Sequence, residues 1–325
     1  MQRHGVVRTT ASFVLMAGGM GRRFGGDKQV EPVGPNGEPL GAYTAYDALQ
    51  AGFDEVVLVA RPGAEALVLD TFRRALGERA PLRVVPQRLD GPTAGRPPPD
   101  RPRPWGTAHA ALAAAQHIDG AFGIANADDA YGRDALIALH RALTRAAPGA
   151  VALISYRASD VLSTEGGVSR GWIRQSPDGG IDVTEIHQLK SSDSMGFLEG
   201  TTEAGEAVRM PSDAPVSMNL WGVSVEAVQA LRAGWEHFIA GLSETEDRHL
   251  NAEYGLSTAL TALAREGQVD LCPEPGGTQW FGMTFAADRP LVGARLAALH
   301  ADGTYPVSLV DGEPPRPRPH AEYDL

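Results

Sequence analysis

Residues Ser12 to Gln29 read SFVLMAGGMGRRFGGDKQ. Ser12 to Ala17 is a short apolar run, the pattern of a strand buried on both faces. It leads directly into Gly18, Gly19 and Gly21, with Gly25 and Gly26 a few residues on. Lacking Cβ atoms, such residues let backbone N–H groups close on an anion. Arg22, Arg23 and Lys28 lie in the same loop and carry charge that can follow a polyphosphate. A triphosphate suits both features. Two common phosphate loops do not fit. GxGxxG from Gly19 and Gly21 needs a glycine where Phe24 stands, and GxxxxGK[ST] from Gly21 to Gly26 meets Asp27. Neither a dinucleotide-binding fold nor a P-loop ATPase is supported.

Outward from this stretch, strand and helix patterns alternate. Leu40 to Ala51 predicts a helix stopped by Gly52. Glu55 to Ala60 predicts a strand, and Leu69, Phe72 and Leu76 mark a helix ending at Gly77. Leu82 to Pro86 reads as a third strand, Gly106 to Ile118 as an Ala-rich helix and Ala121 to Asn126 as a fourth strand. Leu136, Leu139 and Leu143 mark a helix before a fifth strand, Ala150 to Tyr156. This alternation predicts an α/β fold, three layers (α/β/α) around a mostly parallel sheet. Ligands on such sheets bind beyond the carboxyl ends of the strands.

The second half is less regular. Trp172 to Gln175 and Ile181 to Leu189 flank a PDGG turn as a hairpin. Lys190 to Pro211 reads as a polar loop, and Val216 to Gly222 and Trp280 to Phe285 as strands. Val228, Leu231, Trp235 and Phe238 share one helix face. Gly91 to Pro104 is a Pro/Arg-rich insertion, an extended surface loop or a lid. The tail from Asp311 is Pro-rich.

Of 325 residues, 43% are hydrophobic and 21% charged, enough to bury a sizeable core. Against 40 acidic residues stand 29 basic ones, and the net charge of −11 argues against a surface that coats nucleic acid. Lys28 and Lys190 are the only lysines. No apolar run approaches the roughly 18 residues of a membrane span, and residues 1–10 lack a signal-peptide pattern. A cytoplasmic protein without membrane or nucleic-acid partners is expected. Cys272 is the only cysteine, which excludes an intrachain disulfide and suggests a buried, inert thiol. There is no HExxH or GxSxG, so metallohydrolase and serine hydrolase readings find no support.

Ala17-Gly18-Gly19-Met20-Gly21-Arg22-Arg23-Phe24, with Lys28 beyond, resembles the A-G-G-x-G-[TS]-R-[LF] signature of the sugar nucleotidyltransferases, the NDP-sugar pyrophosphorylases. Arg22 takes the usual Thr or Ser position. PVGPNGE (Pro32 to Glu38), PWGTAHA (Pro104 to Ala110), NADDAYG (Asn126 to Gly132) and WFGMT (Trp280 to Thr284) are similar to segments of an uncharacterised bacterial branch. The resemblance runs from about Phe13 to Pro306. It implies a GT-A-like nucleotide-diphospho-sugar transferase fold in one domain over residues 1–310, followed by the tail at 311–325. Residues from about 10 to 150 would bind the NTP, and those from about 151 to 310 the acceptor. The implied reaction is attack of a sugar-1-phosphate on the α-phosphate of an NTP, with Mg²⁺ as cofactor and pyrophosphate leaving.

The same resemblance implies roles. Arg23 would hold the pyrophosphate portion, and Lys28 would sit between the α-phosphate and the incoming phosphate. Ala17, Gly18, Gly19 and Gly21 would line the nucleotide. Asp128 aligns with the metal-binding aspartate, while Asp129 shares the metal or is a helix-start acid. Asn219 and Glu253 are candidates to complete that site. Gln87, Gly106 and Thr107 would read the base, a pyrimidine in preference to a purine. His109 is expected to pack or to bond a phosphate, since the attacking phosphate is already anionic. Gly171 and Glu185 would meet the acceptor, and Trp280 would stack on it or belong to the core. The lysine expected after the glutamate is replaced by Ile186, with Lys190 or Arg170 as substitutes. Two alternatives stay open: a cytidylyltransferase-like enzyme for a non-sugar phospho- or phosphono-acceptor, and a non-catalytic nucleotide- or sugar-sensing relative. A homo-oligomer is also open.

Overall fold

The computed structural model describes residues 11–19, 28–90, 101, 103–163, 166–176, 179–242, 250–283 and 286–311. The first apolar run forms β1 (Ser12–Met16), buried throughout. Its side chains alternate between two cores. Phe13 and Leu15, then Ala17, enter one, while Val14 and Met16 enter the other. Both faces are covered, which is why the run shows no polar alternation. β1 pairs in parallel with β2 (Glu55–Ala60) and β4 (Phe122–Asn126), and β2 with β3 (Leu82–Pro86). Helices α1 (Leu40–Ala51), α2 (Glu65–Leu76), α4 (Arg133–Arg145) and α7 (Arg289–Ala301) supply the first core. Helices α3 (Thr107–Ala115), α5 (Val225–Ala240) and α6 (Leu256–Arg265) supply the second.

Past β4 the sheet changes direction. It continues through β6 (Ala150–Arg157), β7 (Val168–Gln175), β8 (Ile181–Ser191), β9 (Phe197–Thr201), β10 (Ala207–Pro211), β11 (Pro215–Val223) and β12 (Asp270–Pro275). The order is β10-β9-β8-β7-β11-β4-β1-β2-β3, with β6 beside β11 and β12 beside β6. The sheet is thus mixed: parallel around β1, antiparallel from β4 through β11 to β10. A two-stranded pair, β5 (Asp129–Ala130) and β13 (Phe281–Gly282), lies apart.

One pairing creates the site. A strand has two hydrogen-bonding edges. Val216 and Ser217 of β11 pair with both β6 and β7, and Trp221 to Val223 pair with both β6 and β4. So β6 takes one edge of β11, and β7 and β4 divide the other. Between them the register shifts, and Asn219 adopts φ +63°, a left-handed conformation that Asn tolerates better than most residues. The sheet forks there, beyond the carboxyl end of β4.

Several expectations change. Lys190 to Pro211 is no loop: it completes β8 and forms β9 and β10, with Leu198 and Met210 buried between exposed neighbours. Only Phe281 and Gly282 of the strand expected at Trp280 to Phe285 pair, and Thr284 and Phe285 lie outside the described residues. Cys272 is exposed, not buried, because β12 pairs with β6 alone and alternate residues face out. Partial burial, then Asp270 and Glu274, push its thiol pKa up, which keeps it a poor nucleophile. Most of the Gly91 to Pro104 insertion and the tail beyond residue 311 lie outside the described residues. Among the described residues no helix is long and apolar enough to cross a membrane.

The PVGPNGE segment is a structural clasp. Glu38 is buried and accepts from the Asn36 N–H (2.9 Å), from Asn36 Nδ2 (3.0 Å) and from the Tyr43 hydroxyl (3.3 Å). Asn36 Nδ2 also donates to the Val307 carbonyl, tying in the C-terminal segment. Nearby, Asp47 on α1 is 2% exposed and accepts from Arg133 Nε (3.0 Å) and the Tyr305 hydroxyl (2.7 Å). Burial raises the Asp47 pKa despite Arg133. Asp47→Ala leaves both donors without an acceptor. It is expected to cost about 2 kcal/mol, or roughly 3 °C in Tm for a chain of this size, in a calorimetric melt.

Candidate functional site

The carboxyl ends of β1, β3 and β4 share one rim. Ala17 continues the ladder, donating to the Val59 carbonyl at 2.8 Å, and the Ala127 N–H donates to the Met16 carbonyl at 3.3 Å. A Cβ on Gly18 would lie 3.2 Å from Gln87 Oε1 and 3.4 Å from the Arg61 nitrogen, so the backbone passes close to the end of β3. Gly19 is exposed, and its carbonyl accepts from Gln29 Nε2 at 2.9 Å. Gln29 is buried in the 3₁₀ turn Lys28–Val30. It therefore pins the far end of the glycine-rich stretch to its start and sets Lys28 beside that anchor. Gly21, Arg22 and Arg23 lie outside the described residues.

Gln87 is 4% exposed. Its Nε2 donates to the Gly106 carbonyl at 2.9 Å and meets His109 Nδ1 at 3.2 Å. A carbonyl only accepts, which fixes the amide orientation, and His109 Nδ1 must then accept as well. Gly106 has φ +104°, and a Cβ there would lie 2.7 Å from the Tyr254 carbonyl. Thr107 Oγ1 accepts from the Leu256 N–H at 2.8 Å and caps α6. These three residues form a seam between β3, α3 and α6. Glu253, on the same seam, pairs with Arg103 at 3.7 Å.

The acids sit at the fork. Asp128 is half-buried, and its carbonyl accepts from the Met283 N–H at 3.2 Å. Asp129 Oδ2 accepts from Asn126 Nδ2 at 3.0 Å and lies 3.3 Å from the Tyr131 hydroxyl. Asn219 Nδ2 donates to Asn126 Oδ1 at 2.8 Å, and Asn219 Oδ1 accepts from Trp221 Nε1 at 3.0 Å. The Tyr131 hydroxyl accepts from the Asn126 N–H at 3.1 Å and donates to the Met218 carbonyl at 3.0 Å. Burial, then the Asp129 charge, push the phenols of Tyr131 and Tyr156 far up, so both stay protonated. This network joins Asn219 to the acid pair across the fork. Glycines admit the neighbouring elements: a Cβ on Gly41 of α1 would lie 2.5 Å from the Ala127 carbonyl, and one on Gly282 of β13 would overlap Asp129 Oδ1. Gly282→Ala is expected to evict that carboxylate. Overpacking of this kind costs about 1–3 kcal/mol, and we expect a loss of turnover of about tenfold or more, measured with the melting temperature on the same sample.

On the other arm of the fork, Gly171 of β7 is the Cα partner of both Glu185 and Ser217. Glu185 is exposed, 3.9 Å from His187 Nδ1, which itself lies 2.9 Å from Ser169 Oγ. Trp280 is 7% exposed, with the Arg170 guanidinium 4.8 Å from its ring centre. Asp128, Asn219, Gly171 and Trp280 thus border one fork, and Ala17 to Gly19, Gln87 and Gly106 border the rim across β1. The roles of Gln29, Asn126, Tyr131 and Gly282 were not foreseen. The segments holding them stood out in the sequence, but only as family markers or loop boundaries. Among the described residues no three His, Cys, Asp or Glu side chains gather as a metal-binding group. The hard oxygen donors of Asp128 and Asp129 nevertheless fit Mg²⁺, which takes one or two protein carboxylates alongside phosphate oxygens and water.

A strand ending in glycines beside a strand ending at an acid pair has a match at family level. The sequence model for MobA-like NTP transferase domains covers residues 13–303. The chain belongs to that family. Among solved structures, the inositol-1-phosphate CTP transferase from T. maritima superposes with a TM-score of 0.56 at 13% identity, over 90% of this chain and 97% of that one. At that identity the likeness shows the fold, a nucleotidyltransferase α/β fold. No curated protein matches the chain in sequence.

Proposed function

We propose that this chain transfers a nucleotidyl group from an NTP to a phosphorylated small-molecule acceptor, most simply a sugar-1-phosphate, and releases pyrophosphate. The observation that carries this reading is the acid pair Asp128–Asp129 at the fork, next to the glycine-rich end of β1. In it the N-terminal part, through Ala17, Gly18, Gly19, Gly21, Arg23 and Lys28, holds the triphosphate. Gln87 acts by fixing Gly106 and the end of β3 around the base, since its amide nitrogen is committed to the protein. Thr107 supports that wall from behind.

Asp128, oriented by its neighbours, would hold Mg²⁺ with Asp129. The ion would offset charge on the transferring phosphoryl group. Asn219 positions the acid pair through Asn126. Gly171 and Glu185 face the acceptor. The attacking phosphate needs no general base, so positioning and electrostatics supply the rate. With Ile186 buried where a phosphate-binding lysine was expected, a non-sugar phosphate or phosphonate is the second reading. The T. maritima enzyme, named for inositol-1-phosphate and CTP, gives that reading a concrete member.

The test is pyrophosphate release with Mg²⁺. UTP, dTTP, CTP, ATP and GTP are each paired with sugar-1-phosphates, inositol-1-phosphate, phosphocholine and a simple phosphonate. Release with one NTP–acceptor pair supports transfer and names both substrates. Silence throughout, with NTP still raising the melting temperature, points to a sensing relative.

A further inference from the structure

Arg170 on β7 is 8% exposed. Its Nε and Nη2 donate to the Val161 carbonyl, and Nη1 donates to the Ser169 carbonyl at 2.8 Å. All three bonds go to neutral acceptors. Burial pulls its pKa down to about 10; Asp129 lies near enough to favour the charge, but no ion pair forms between them. A guanidinium has five N–H groups, so each terminal nitrogen keeps one unused. A buried charge is costly unless it is paired. Ile186, the Cα partner of Arg170 on β8, is buried and apolar and offers nothing.

A second donor adjoins it. The Trp280 ring lies against the guanidinium, and its buried Nε1 has no hydrogen-bond partner among the described residues. A buried indole N–H normally finds an acceptor. Among the described residues, two neighbouring side chains thus carry unused donors, and one carries a positive charge with no ion-pair partner. One anion with several oxygens satisfies both. Their place narrows its identity. Arg170 lies close enough to Asp129 to feel its charge, and Trp280 is two residues from Gly282, which packs on Asp129.

We propose that Arg170 and Trp280 form an anion pocket at the fork that receives the phosphate or phosphonate group of the acceptor. The assignment to the acceptor rests on the nucleotidyl-transfer reading above. In this pocket the charge that fixes the acceptor comes from β7, which leaves position 186 on β8 free to be apolar. Arg170 donates charge-assisted bonds to the anion, and the Trp280 N–H adds a neutral one.

Inorganic phosphate is the probe. The full chain, saturated with NTP and Mg²⁺, is titrated with phosphate at constant ionic strength and followed by melting temperature. Wild type is compared with Arg170→Gln and with Trp280→Phe, which keeps an aromatic ring and removes the indole N–H. The wild type should be stabilised by phosphate. The apparent Kd should rise about tenfold or more in Arg170→Gln and several-fold in Trp280→Phe, with the NTP-induced shift the same in all three. A lower melting temperature with an unchanged phosphate response would mark Arg170 as structural and overturn the pocket. So would a wild type indifferent to phosphate. If NTP fails to stabilise the wild type, the nucleotidyl reading falls, and the same titration without NTP still decides the pocket.

Discussion

Asp128→Asn is expected to lower turnover on the order of 10²- to 10³-fold and to raise the Mg²⁺ concentration for half-maximal activity, with little change in melting temperature. The side chain is half-buried at the rim, and the bond that holds this loop to β13 uses the Asp128 carbonyl, not the carboxylate. Asn keeps the shape and loses the charge. The neighbouring acid provides the contrast. Asp129 is bound to Asn126, faces Tyr131 and lies against Gly282. Asp129→Asn brings an amide N–H₂ into the cluster where Asn126 Nδ2 needs an acceptor, so stability as well as turnover should fall. A Mg²⁺ titration of pyrophosphate release, run beside melting curves for both variants, separates the two. An unchanged Mg²⁺ response in Asp128→Asn would remove that residue from the metal site.

Lys28→Ala should reduce kcat/KM about a hundredfold or more while the fold stays intact. Lys28 opens the 3₁₀ turn whose next residue, Gln29, is fastened to Gly19. The Lys28 backbone is therefore next to the residue that ties this turn to the end of β1. Lys28→Arg should restore only part of the loss, because a planar fork does not replace a compact ammonium. The check is steady-state kinetics with both substrates varied, together with circular dichroism melts. A variant that melts would show that the lysine carries packing instead.

Local pattern made the first half of the fold legible. The apolar run at β1, the helix stops at Gly52 and Gly77 and the strand ending at Asn126 all appear where periodicity and glycines put them. The fork was not legible. It depends on β11 sharing one edge between β4 and β7, a pairing over long sequence separations that no window of residues contains. The same holds for Asn219, whose left-handed backbone is set by that register shift, and for Gly282, which is glycine because Asp129 fills the space of its Cβ. Strands β9 and β10 were hidden by polar, Gly-rich composition in which only Leu198 and Met210 are fully buried. Glu253, the other candidate to complete the metal site, lies on the seam, 3.7 Å from Arg103.

The most direct test follows the α-phosphorus. The NTP carrying a ³²P label at the α position is incubated with Mg²⁺, the enzyme and the acceptor found in the pyrophosphate screen. Label should move into a product that contains both nucleoside and acceptor, with one pyrophosphate released per transfer. Release of orthophosphate from the γ position, with label left in NDP, would contradict nucleotidyl transfer.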